Sequence, residues 1–560
     1  MRMAMENKAI GLIIGSTTPY TFQFVGLKSE TGHPLPIRRG QFVKIPASEK
    51  EEQYLLGRVT TVVRQNELLS ESVPSQVALM AGSGKATLDD LGFRRDIAET
   101  LIASVEVLGF RSKGGKRMLL RPRTPVYPGE KVYEADTAFL LEQLSSESEN
   151  NLCLGSLRDD PKVPVFVDLT ELVSKHFALL AMTGAGKSYA AGVLMEEIFS
   201  MTDLPIVVFD PHGEYYSLAR SVDLAKRLDE IKNLGMPESF IPRARTGAEK
   251  IQRNVVFYST DPVKSEKILE KIRRKYPDIV VKINALKIQL ADLDASQLNL
   301  LLSSFYSISE PQMRIIDAVW SGIHDRAARG DFIHFSTIES EIRRVGPGLV
   351  RGGSPVDLLI AKLSLLNNRS FFAKTMSETR ISAKDLVTKR RVAVIDLSLT
   401  PLLEQQAIAA IIGKKILAGR VADEIPPVLL LFEEAHRFAP GGGESGVSLS
   451  TMKQIAQEGR KFFVGIGLIS QRPSRVDADV LSQCNNQIIM RMTNPHDQNY
   501  VKQISEWVTN EDLEEIRALA PGEAYVFGPA TIMSLPIIVR PRGTFHGGMT
   551  PDLRDELQKF

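Results

Sequence analysis

Cysteine is almost absent from the sequence: Cys153 and Cys484 are the two copies, and they lie far apart. Their separation fits neither a disulfide framework nor the clustered spacing of a zinc site, so we expect reduced thiols and no structural metal. Long apolar runs are absent as well. The run at 462–469 has the length of a buried strand, and the run at 9–15 is shorter than the apolar core of a signal peptide. We therefore expect a cytoplasmic protein that has no membrane partner.

The sequence also lacks an excess of charge of either sign. Its 69 Lys and Arg residues and 67 Asp and Glu residues give a formal net charge of +2. This balance neither indicates nor excludes nucleic acid, and a DNA-binding surface would have to be a local concentration of basic residues. A chain of 560 residues is longer than one hydrophobic core usually serves, so we expect about three or four compact units.

The segment AMTGAGKS at 181–188 lies between an apolar run and a stretch with helical spacing of apolar residues. A strand, a glycine turn and a helix in this order form a phosphate-binding loop. Gly184 and Gly186 let backbone N–H groups converge on one phosphate, and the helix N-terminus adds its positive end. Ala181 stands where the motif usually begins with Gly, and Ala fits such a position unless its φ is positive.

This loop predicts a nucleoside triphosphate ligand together with Mg²⁺. Lys187 would reach the β- and γ-phosphates, and Ser188 would hold Mg²⁺. We assign nucleotide binding to the residues of the glycine turn and of the first helical turn: Thr183, Gly184, Ala185, Gly186, Lys187, Ser188 and Tyr189.

Acidic residues follow a second predicted strand, the apolar run at 428–432. Glu433 and Glu434 come directly after it. Two adjacent acids at the end of a buried strand need a positive partner, which Mg²⁺ with a nucleotide supplies. Because successive strand residues point to opposite sides, Glu433 is the candidate for outer-sphere Mg²⁺ binding and Glu434 the candidate base that polarises the attacking water.

Polar residues end two further predicted strands. The segment DPHGEY at 210–215 follows an apolar run, and the carboxyl ends of parallel strands face the ligand crevice. His212 and Glu214 would either contact the phosphates or a neighbouring subunit, or cap a turn; both interpretations stay open. Gln471 follows the apolar run at 462–469 and is placed to sense the γ-phosphate or its water.

The remaining pattern indicates the domain organisation. Short apolar segments separated by turn residues recur between residues 8 and 134, which is typical of a small β-barrel or sandwich. Residues 144–151 are polar and are interpreted as a linker. Predicted strands near residues 163, 177, 204, 392, 428, 462, 487 and 525 suffice for a parallel central sheet in an α/β core. We divide the chain into an N-terminal barrel for assembly or partner docking (1–150), an ATPase core (151–216 and 385–538), a helical insertion (217–384) and a C-terminal tail (539–560).

Two signals bear on DNA. The basic run at 271–275 is most often a solvated helix face in other proteins, and DNA contact is the alternative. The glycine-rich loop at 441–447 and the following helix, which bears Lys453, are our pore candidates, because a flexible loop with a Lys suits contact with phosphates without reading of bases.

Taken together, these motifs resemble the HerA family of hexameric ATPases, relatives of the FtsK translocases in the RecA-like P-loop class. The resemblance covers nearly the whole chain. It rests on the N-terminal barrel and on MTGAGKS at 182–188, DPHGEY at 210–215, EEAHRF at 433–438, GRK at 459–461, SQRP at 470–473 and HGG at 546–548. It implies an α/β fold: a RecA-like P-loop core with a parallel central sheet, an N-terminal small β-barrel and a helical insertion.

The resemblance also implies roles for matching residues. A homohexameric ring of such chains hydrolyses ATP with Mg²⁺ between subunits and moves double-stranded DNA through its pore. Lys187 and Ser188 correspond to the phosphate and Mg²⁺ ligands, and Glu434 to the catalytic acid. Gln471 corresponds to the sensor, and Arg460 to a basic residue near the γ-phosphate.

Contacts between subunits are a further implication of the resemblance. An arginine finger is expected from the neighbouring subunit, and Arg158 and Arg475 are candidates that the sequence does not rank. The tail at 539–560 would brace the adjacent protomer, with a disordered tail as the alternative.

Two functions stay open at this point. The first is an ATP-driven, hexameric double-stranded DNA translocase or helicase that works with a NurA-like nuclease in DNA end processing. The alternative is a ring-shaped ATPase scaffold that assembles and activates a sirtuin-like or nuclease effector in antiviral defence. The core motifs fit both, since the two differ in what the barrel binds. A monomeric small-molecule kinase is disfavoured, because it has no use for a barrel, an insertion and a tail.

Overall fold

The computed structural model describes most of the 560-residue chain, namely residues 9–30, 32–47, 53–66, 99–111, 119–144, 151–222, 224–350, 354–376, 378, 381–444 and 446–546. The chain forms two compact units. The first comprises Met1–Glu147 and Leu157–Val165, and the second comprises Ser148–Ser156 and Phe166–Phe560. Most of the predicted linker at 144–151 and the glycines at 547–548 lie outside the described residues.

The first unit is an antiparallel barrel. Its elements are β1 (Ala9–Ile14), β2 (Thr21–Gly26), β3 (Phe42–Pro46), β4 (Tyr54–Asn66), β5 (Glu99–Arg111), β6 (Leu119–Leu120), β7 (Lys131–Glu134) and the helix α1 (Thr137–Leu144). The strand order β2-β1-β7-β3-β4-β5 closes through a β2–β5 pairing, and alternate residues of β5 are buried. This alternation is what one apolar face of a closed sheet requires, and it confirms the predicted barrel.

The second unit is built on one large sheet. Its strands are β8 (Asn151–Leu157), β9 (Pro164–Asp168), β10 (Phe177–Leu180), β11 (Ile206–Asp210), β12 (Val255–Ser259), β13 (Ile283–Ala285), β14 (Val392–Asp396), β15 (Val428–Glu433), β16 (Val464–Ser470), β17 (Asn486–Met490), β18 (Glu523–Phe527) and β19 (Leu535–Val539). The order runs β13-β12-β14-β11-β15-β16-β10-β17-β18-β19-β8-β9. The strands from β13 to β17 in this order are parallel, whereas β18 and β19 are antiparallel. The predicted α/β fold with a parallel central sheet is confirmed.

Helices accompany this sheet. They are α2 (Leu169–Ser174), α3 (Lys187–Met201), α4 (Leu224–Asn233), α5 (Phe240–Asn254), α6 (Pro262–Lys275), α7 (Ala295–Tyr306), α8 (Glu310–Ala328), α9 (Phe335–Leu349), α10 (Ser354–Asn367), α11 (Ala383–Leu386), α12 (Leu402–Val421), α13 (Leu449–Phe462), α14 (Ala478–Ser482), α15 (Pro495–Ile504) and α16 (Asn510–Ala518). Every residue of β10, β15 and β16 is buried, as expected for parallel strands covered on both faces. Within the described residues, no helix has both the length and the apolar character needed to span a bilayer.

The stretch at 217–384 is mostly helical, and it belongs to the second unit. Helix α8 begins with a capping box of Ser309 and Gln312, as its sequence indicates, and buries an apolar face that includes Trp320. The same stretch also contributes β12 and β13 to the edge of the large sheet. These strands were not predicted, although the segment VVFYS at 255–259 is rich in β-branched and aromatic residues and is flanked by Asn254 and by Asp261-Pro262.

Candidate active site

The glycine loop follows β10, the strand that lies between β16 and β17. Gly184 and Gly186 have φ values of +81° and +105°, a region that favours glycine. Helix α3 begins directly afterwards at Lys187. Ala181 is buried, and it is not among the residues with positive φ in the described part of the chain. Alanine therefore fits the first position of the motif without backbone strain.

Lys187 is held by the two predicted acids. Its Nζ lies 2.9 Å from Glu433 Oε1 and 2.6 Å from Glu434 Oε1. The side chains of the two acids are only 2 % and 6 % exposed. Burial raises the pKa of the Glu433 carboxyl, and the nearby ammonium offsets only part of this effect. Burial disfavours the charge on Lys187, but the two carboxylates outweigh burial and raise its pKa. The loop and the acid pair thus form one site.

Both acids face the same cation because the strand ends between them. Glu433 is the last residue of β15, whereas Glu434 has φ +51° and ψ 55°. This left-handed conformation costs a non-glycine residue about 1–2 kcal/mol and is concentrated at functional sites. It turns Glu434 back towards Lys187, so the expected alternation to opposite sides of the strand is wrong at this position. Glu434 Oε2 is buried without a hydrogen-bond partner in the described structure and lies 3.4 Å from His436 Nδ1.

The segment at 210–215 connects the glycine loop to the acids. The Asp210 carboxylate accepts hydrogen bonds from the backbone N–H groups of His212 (3.1 Å), Gly213 (2.8 Å) and Tyr215 (3.0 Å). Burial raises the pKa of Asp210 to about 7. The fixed turn lets the Tyr215 hydroxyl donate to Glu433 Oε2 at 2.8 Å. Tyr215 and Lys187 therefore hold the two oxygens of the same carboxylate.

Glu214 is the functional candidate that the sequence left open. Its Oε2 accepts a hydrogen bond from Ser188 Oγ at 2.9 Å. It therefore contacts the predicted Mg²⁺ ligand, and its position at a strand end on the ligand side was the signal for it. His212 is exposed, and its described contact is the backbone bond to Asp210.

Gln471 also lies at the glycine loop. It follows β16 directly, and its Oε1 accepts a hydrogen bond from Thr183 Oγ1 at 2.5 Å. Thr183 is exposed at the tip of the loop. The structure therefore brings the proposed sensor, the loop and the acid pair to one edge of the sheet.

Arg460 is not brought to this site. It is exposed in the last turn of α13, directly before β16 begins. The end of that helix lies at the amino edge of the parallel strands, whereas the glycine loop follows their carboxyl edge. The expectation that Arg460 lies near the γ-phosphate is therefore wrong within one chain. Of the two finger candidates, Arg475 is exposed, and Arg158 belongs to the first unit and lies 3.7 Å from Asp159.

The basic residues assigned to DNA are engaged locally. Lys453 Nζ lies 3.1 Å from Asp477 and 2.7 Å from Asp479, so its charge is already balanced. Arg273, in the basic run at 271–275, donates to Glu266 and to the backbone oxygens of Ile279 and Val281. These contacts favour a structural role for both side chains.

The C-terminal segment lies on its own chain as far as it is described. Residues 540–546 pack against α3, with Arg540 and Arg542 buried. These residues therefore contact their own chain in the structure, and the prediction that they brace a neighbour is not supported. Residues 547–560 lie outside the described residues, and bracing by them stays a prediction.

The donor groups suit a nucleotide with Mg²⁺. The glycine loop and Lys187 offer positive groups to phosphate, and Ser188, Glu214 and Glu433 offer the oxygen ligands that Mg²⁺ prefers. The unpartnered Glu434 Oε2 is an acceptor available to a water or a substrate group. Among the described residues, no cluster of three or more His, Cys, Asp or Glu side chains has the geometry of a closed metal site.

The chain is similar to several known proteins. A family model described as "Helicase HerA, central domain" matches residues 152–416. The DNA double-strand break repair helicase HerA of Pyrococcus furiosus is 31% identical over 517 residues, 90% of this chain and 87% of that protein. The probable DNA double-strand break repair helicase HerA of Methanocaldococcus jannaschii is 28% identical over 471 residues, 81% of this chain and 88% of that protein. Among solved structures, VirB4 of Thermoanaerobacter pseudethanolicus aligns with a TM-score of 0.48 and 13% identity over 71% of this chain and 98% of that chain.

Proposed function

The chain belongs to the HerA family of ATPases, and from this premise we propose that it moves double-stranded DNA as a homohexameric ring and works with a partner nuclease in DNA end processing. The family membership makes it an ATP-hydrolysing enzyme of the helicase and translocase type. The ring, the duplex substrate, the cytoplasmic location and the partner are parts of the proposal. In DNA end processing the first unit would bind a NurA-like nuclease. In the defence alternative it would bind a sirtuin-like or nuclease effector instead.

The observation that carries the proposal is the meeting of Lys187 with Glu433 and Glu434. A glycine loop alone supports only nucleotide binding. A carboxylate beside the loop lysine adds a group that can accept a proton from an attacking water, which hydrolysis requires. Lys187 begins α3, whereas Glu433 ends β15 and Glu434 follows it, so residues far apart in sequence meet here: the Lys187 Nζ lies 2.9 Å from Glu433 and 2.6 Å from Glu434.

Each side chain then has a role in the reaction. Lys187 and the N–H groups of the loop bind the β- and γ-phosphates, and Ser188, supported by Glu214 and Glu433, holds Mg²⁺. Bound there, Mg²⁺ neutralises phosphate charge and fixes the orientation of the phosphates. Because phosphate draws Lys187 away from the acids, the Glu434 carboxylate becomes free to take the proton of the attacking water.

The proposal is tested by steady-state hydrolysis of ATP with and without linear double-stranded DNA. We expect DNA to stimulate the rate, and we expect Lys187→Ala and Glu434→Gln to lower kcat by about 10²–10⁴-fold. Glu310→Gln is the matched control, because that acid is 75 % exposed on α8 and pairs only with Arg314 among the described ion pairs. A rate that DNA does not change, together with no movement on DNA in a triplex-displacement assay, would contradict the motor.

Ring assembly and partner choice need separate measurements. We expect light scattering after size exclusion to give a hexamer in the presence of nucleotide, and a stable monomer with both nucleotide and DNA would contradict the ring. A pull-down with the purified full chain as bait distinguishes the two functions. Capture of a nuclease encoded beside it supports DNA end processing, and capture of a NAD-consuming effector encoded beside it supports the defence alternative.

A further inference from the structure

Residues 540–546, called the strap here, follow β19 and lie against α3, the helix that begins at the glycine loop. Arg540 is fully buried, and Arg542 and Thr544 are 2 % and 1 % exposed. Burying guanidinium groups this completely is unfavourable unless each finds charged or polar partners. The partners of the strap therefore show what it is built to hold.

The strap is anchored on two acids in the middle of α3. Arg540 Nη1 donates to Glu196 Oε2 at 3.0 Å, and Arg540 Nε donates to Glu197 Oε1 at 2.9 Å. Glu196 also accepts from the backbone N–H groups of Gly543 (3.0 Å) and Thr544 (2.7 Å). Both acids are fully buried. Since a shift of the strap would leave buried charges unpaired, its register on α3 is strongly fixed.

From this anchor the strap reaches the first turn of α3. Arg542 Nη1 donates to the Ser188 carbonyl oxygen at 3.2 Å, and the Arg542 backbone N–H donates to the Tyr189 hydroxyl at 2.6 Å. The rings of Tyr189 and His546 meet edge to face at 5.6 Å. The anchor at Glu196 lies about 12 Å further along the helix, from the rise of 1.5 Å per residue. The strap thus ties the start of the helix to its middle.

Helix α3 is shaped to receive Arg542. A Cβ atom at Gly192 would lie 2.3 Å from Arg542 Cζ, so glycine is needed where the guanidinium crosses the helix. Glycine in a helix costs about 1 kcal/mol relative to alanine. This cost arises at the position where the Arg542 guanidinium crosses α3.

Resting on the nucleotide site proposed above, we propose that the strap holds the first turn of α3 in its phosphate-binding orientation, with Arg542 as a positioning residue that acts through Ser188 and Tyr189. Arg542 lines a small cavity together with Ser188 and Glu214, and its side chain donates hydrogen bonds to Ser188 and Thr544. Its bond to the Ser188 carbonyl fixes the peptide that carries the Mg²⁺-binding hydroxyl. Its positive charge also adds to the positive end of the helix, which favours an anion there.

The test compares two glycine-to-alanine substitutions in helices. Gly192→Ala displaces the Arg542 guanidinium while improving the helix-forming tendency of α3. Gly322→Ala is the matched control, because that glycine is exposed on α8 and nothing lies within 4 Å of the added Cβ. The measurement is the Kd of a fluorescent N-methylanthraniloyl ADP with Mg²⁺, alongside the melting temperature without nucleotide. We expect Gly192→Ala to raise the Kd about tenfold, the size of one charge-assisted hydrogen bond, and Gly322→Ala to leave it unchanged.

Arg542→Lys is the second variant, since it keeps the buried charge and loses the planar group that spans Ser188 and Thr544. We expect it to weaken nucleotide binding as Gly192→Ala does, by more than any fall in melting temperature accounts for. Normal ADP binding in both variants would overturn the inference. A loss of binding that only parallels a fall in melting temperature would overturn it too, because the strap would then be a structural element alone.

The proposed function has its own arm in this experiment. If Lys187→Ala binds the fluorescent ADP as tightly as the wild type, the nucleotide site itself is misplaced and the strap proposal fails with it. If Lys187→Ala has lost binding while Gly192→Ala and Arg542→Lys bind normally, the site stands and only the role of the strap is wrong.

Discussion

Replacing Lys187 by methionine tests the charge balance of the site without needing nucleotide. Methionine has a similar length and no charge, so the substitution removes the cation from between Glu433 and Glu434 and leaves the packing nearly intact. Both carboxylates are almost fully buried, and each loses its nearest positive group. Within the described residues, His436 Nδ1 remains at 3.4 Å from Glu434 Oε2, but burial lowers the pKa of this histidine and so disfavours its charged form.

The expected loss follows from the burial of the two acids. Removing one partner of a buried ion pair costs about 3–5 kcal/mol, because the other charge stays in a poorly solvated place. Here one cation serves two acids, while the Tyr215 hydroxyl still donates to Glu433 and lowers its share of the cost. We therefore expect Lys187→Met to lower the unfolding free energy of the second unit by about 3 kcal/mol, a large part of the usual 5–15 kcal/mol.

The loss has a defined pH dependence. The folded-state pKa of Glu433 is raised above its ordinary value even with Lys187 present, and without the ammonium it rises further. An acid with a raised folded-state pKa binds more protons in the folded state than in the unfolded state, so its folded form gains stability as pH falls. The deficit of Lys187→Met should therefore be larger at pH 8 than at pH 5.5.

Urea denaturation of the full chain, followed through the transition of the second unit, measures this effect at both pH values. Lys264→Met is the control, because its Nζ pairs with Asp261 at 3.0 Å but its side chain is 70 % exposed; such pairs contribute about 0–1 kcal/mol. The double variant with Glu434→Gln should recover part of the loss, giving a coupling energy above about 1 kcal/mol. A deficit below about 1 kcal/mol, one that does not change with pH, or an absence of coupling would refute the reasoning.

Three further predictions concern the neighbouring contacts. Tyr215→Phe removes the hydroxyl that donates to Glu433 and should cost about 1–3 kcal/mol in urea denaturation, whereas an unchanged midpoint would mean that the bond is not formed. Asp210→Asn removes a buried acid whose pKa is about 7. Because this acid makes the wild type less stable as pH rises from about 4 to 7, the melting temperature of the variant should change less with pH over that range. Gln471→Ala removes the acceptor of the Thr183 hydroxyl and should lower kcat severalfold with little change in ADP binding, and a selective change in ADP binding would contradict the sensor role.

The sequence was sufficient for those features that local pattern determines. The apolar runs before 181–188 and before Glu433 are buried parallel strands, because chains covered on both faces need continuous apolar residues. The glycines at 184 and 186 have the positive φ that the loop requires. Parallel strands then bring their carboxyl ends to one edge, which placed Gln471 and the acids near the loop.

Local pattern failed where tertiary contacts decide the backbone. Glu434 was expected on the opposite side of the strand from Glu433, but its left-handed conformation brings both to Lys187. A non-glycine residue in that conformation has no signature in sequence, because the surroundings and not its own preference hold it there. Arg460 was expected near the γ-phosphate, but within one chain its helix ends at the other edge of the sheet, which its motif does not show.

The acids that anchor the strap leave a signal in the sequence. Glu196 and Glu197 interrupt the apolar stretch VLMEEIF at 193–199, and two adjacent acids on a buried helix require cations. The sequence could not say which cations, since Arg540 is more than 340 positions away. Adjacent buried acids in a helix thus predict a distant basic partner, although only the fold identifies it.

The same argument applies to Lys187 and connects binding with catalysis. Two carboxylates and a triphosphate would compete for the three N–H donors of one ammonium, whose single charge cannot neutralise all of them. While Lys187 pairs with Glu434, the carboxylate expected to accept the proton of water is occupied, and the lysine expected to bind phosphate is occupied too. If Glu434 accepts the proton of water as we propose, phosphate that draws Lys187 away from this ion pair also frees the acid. Binding of the substrate and activation of the carboxylate would then be one event in this site.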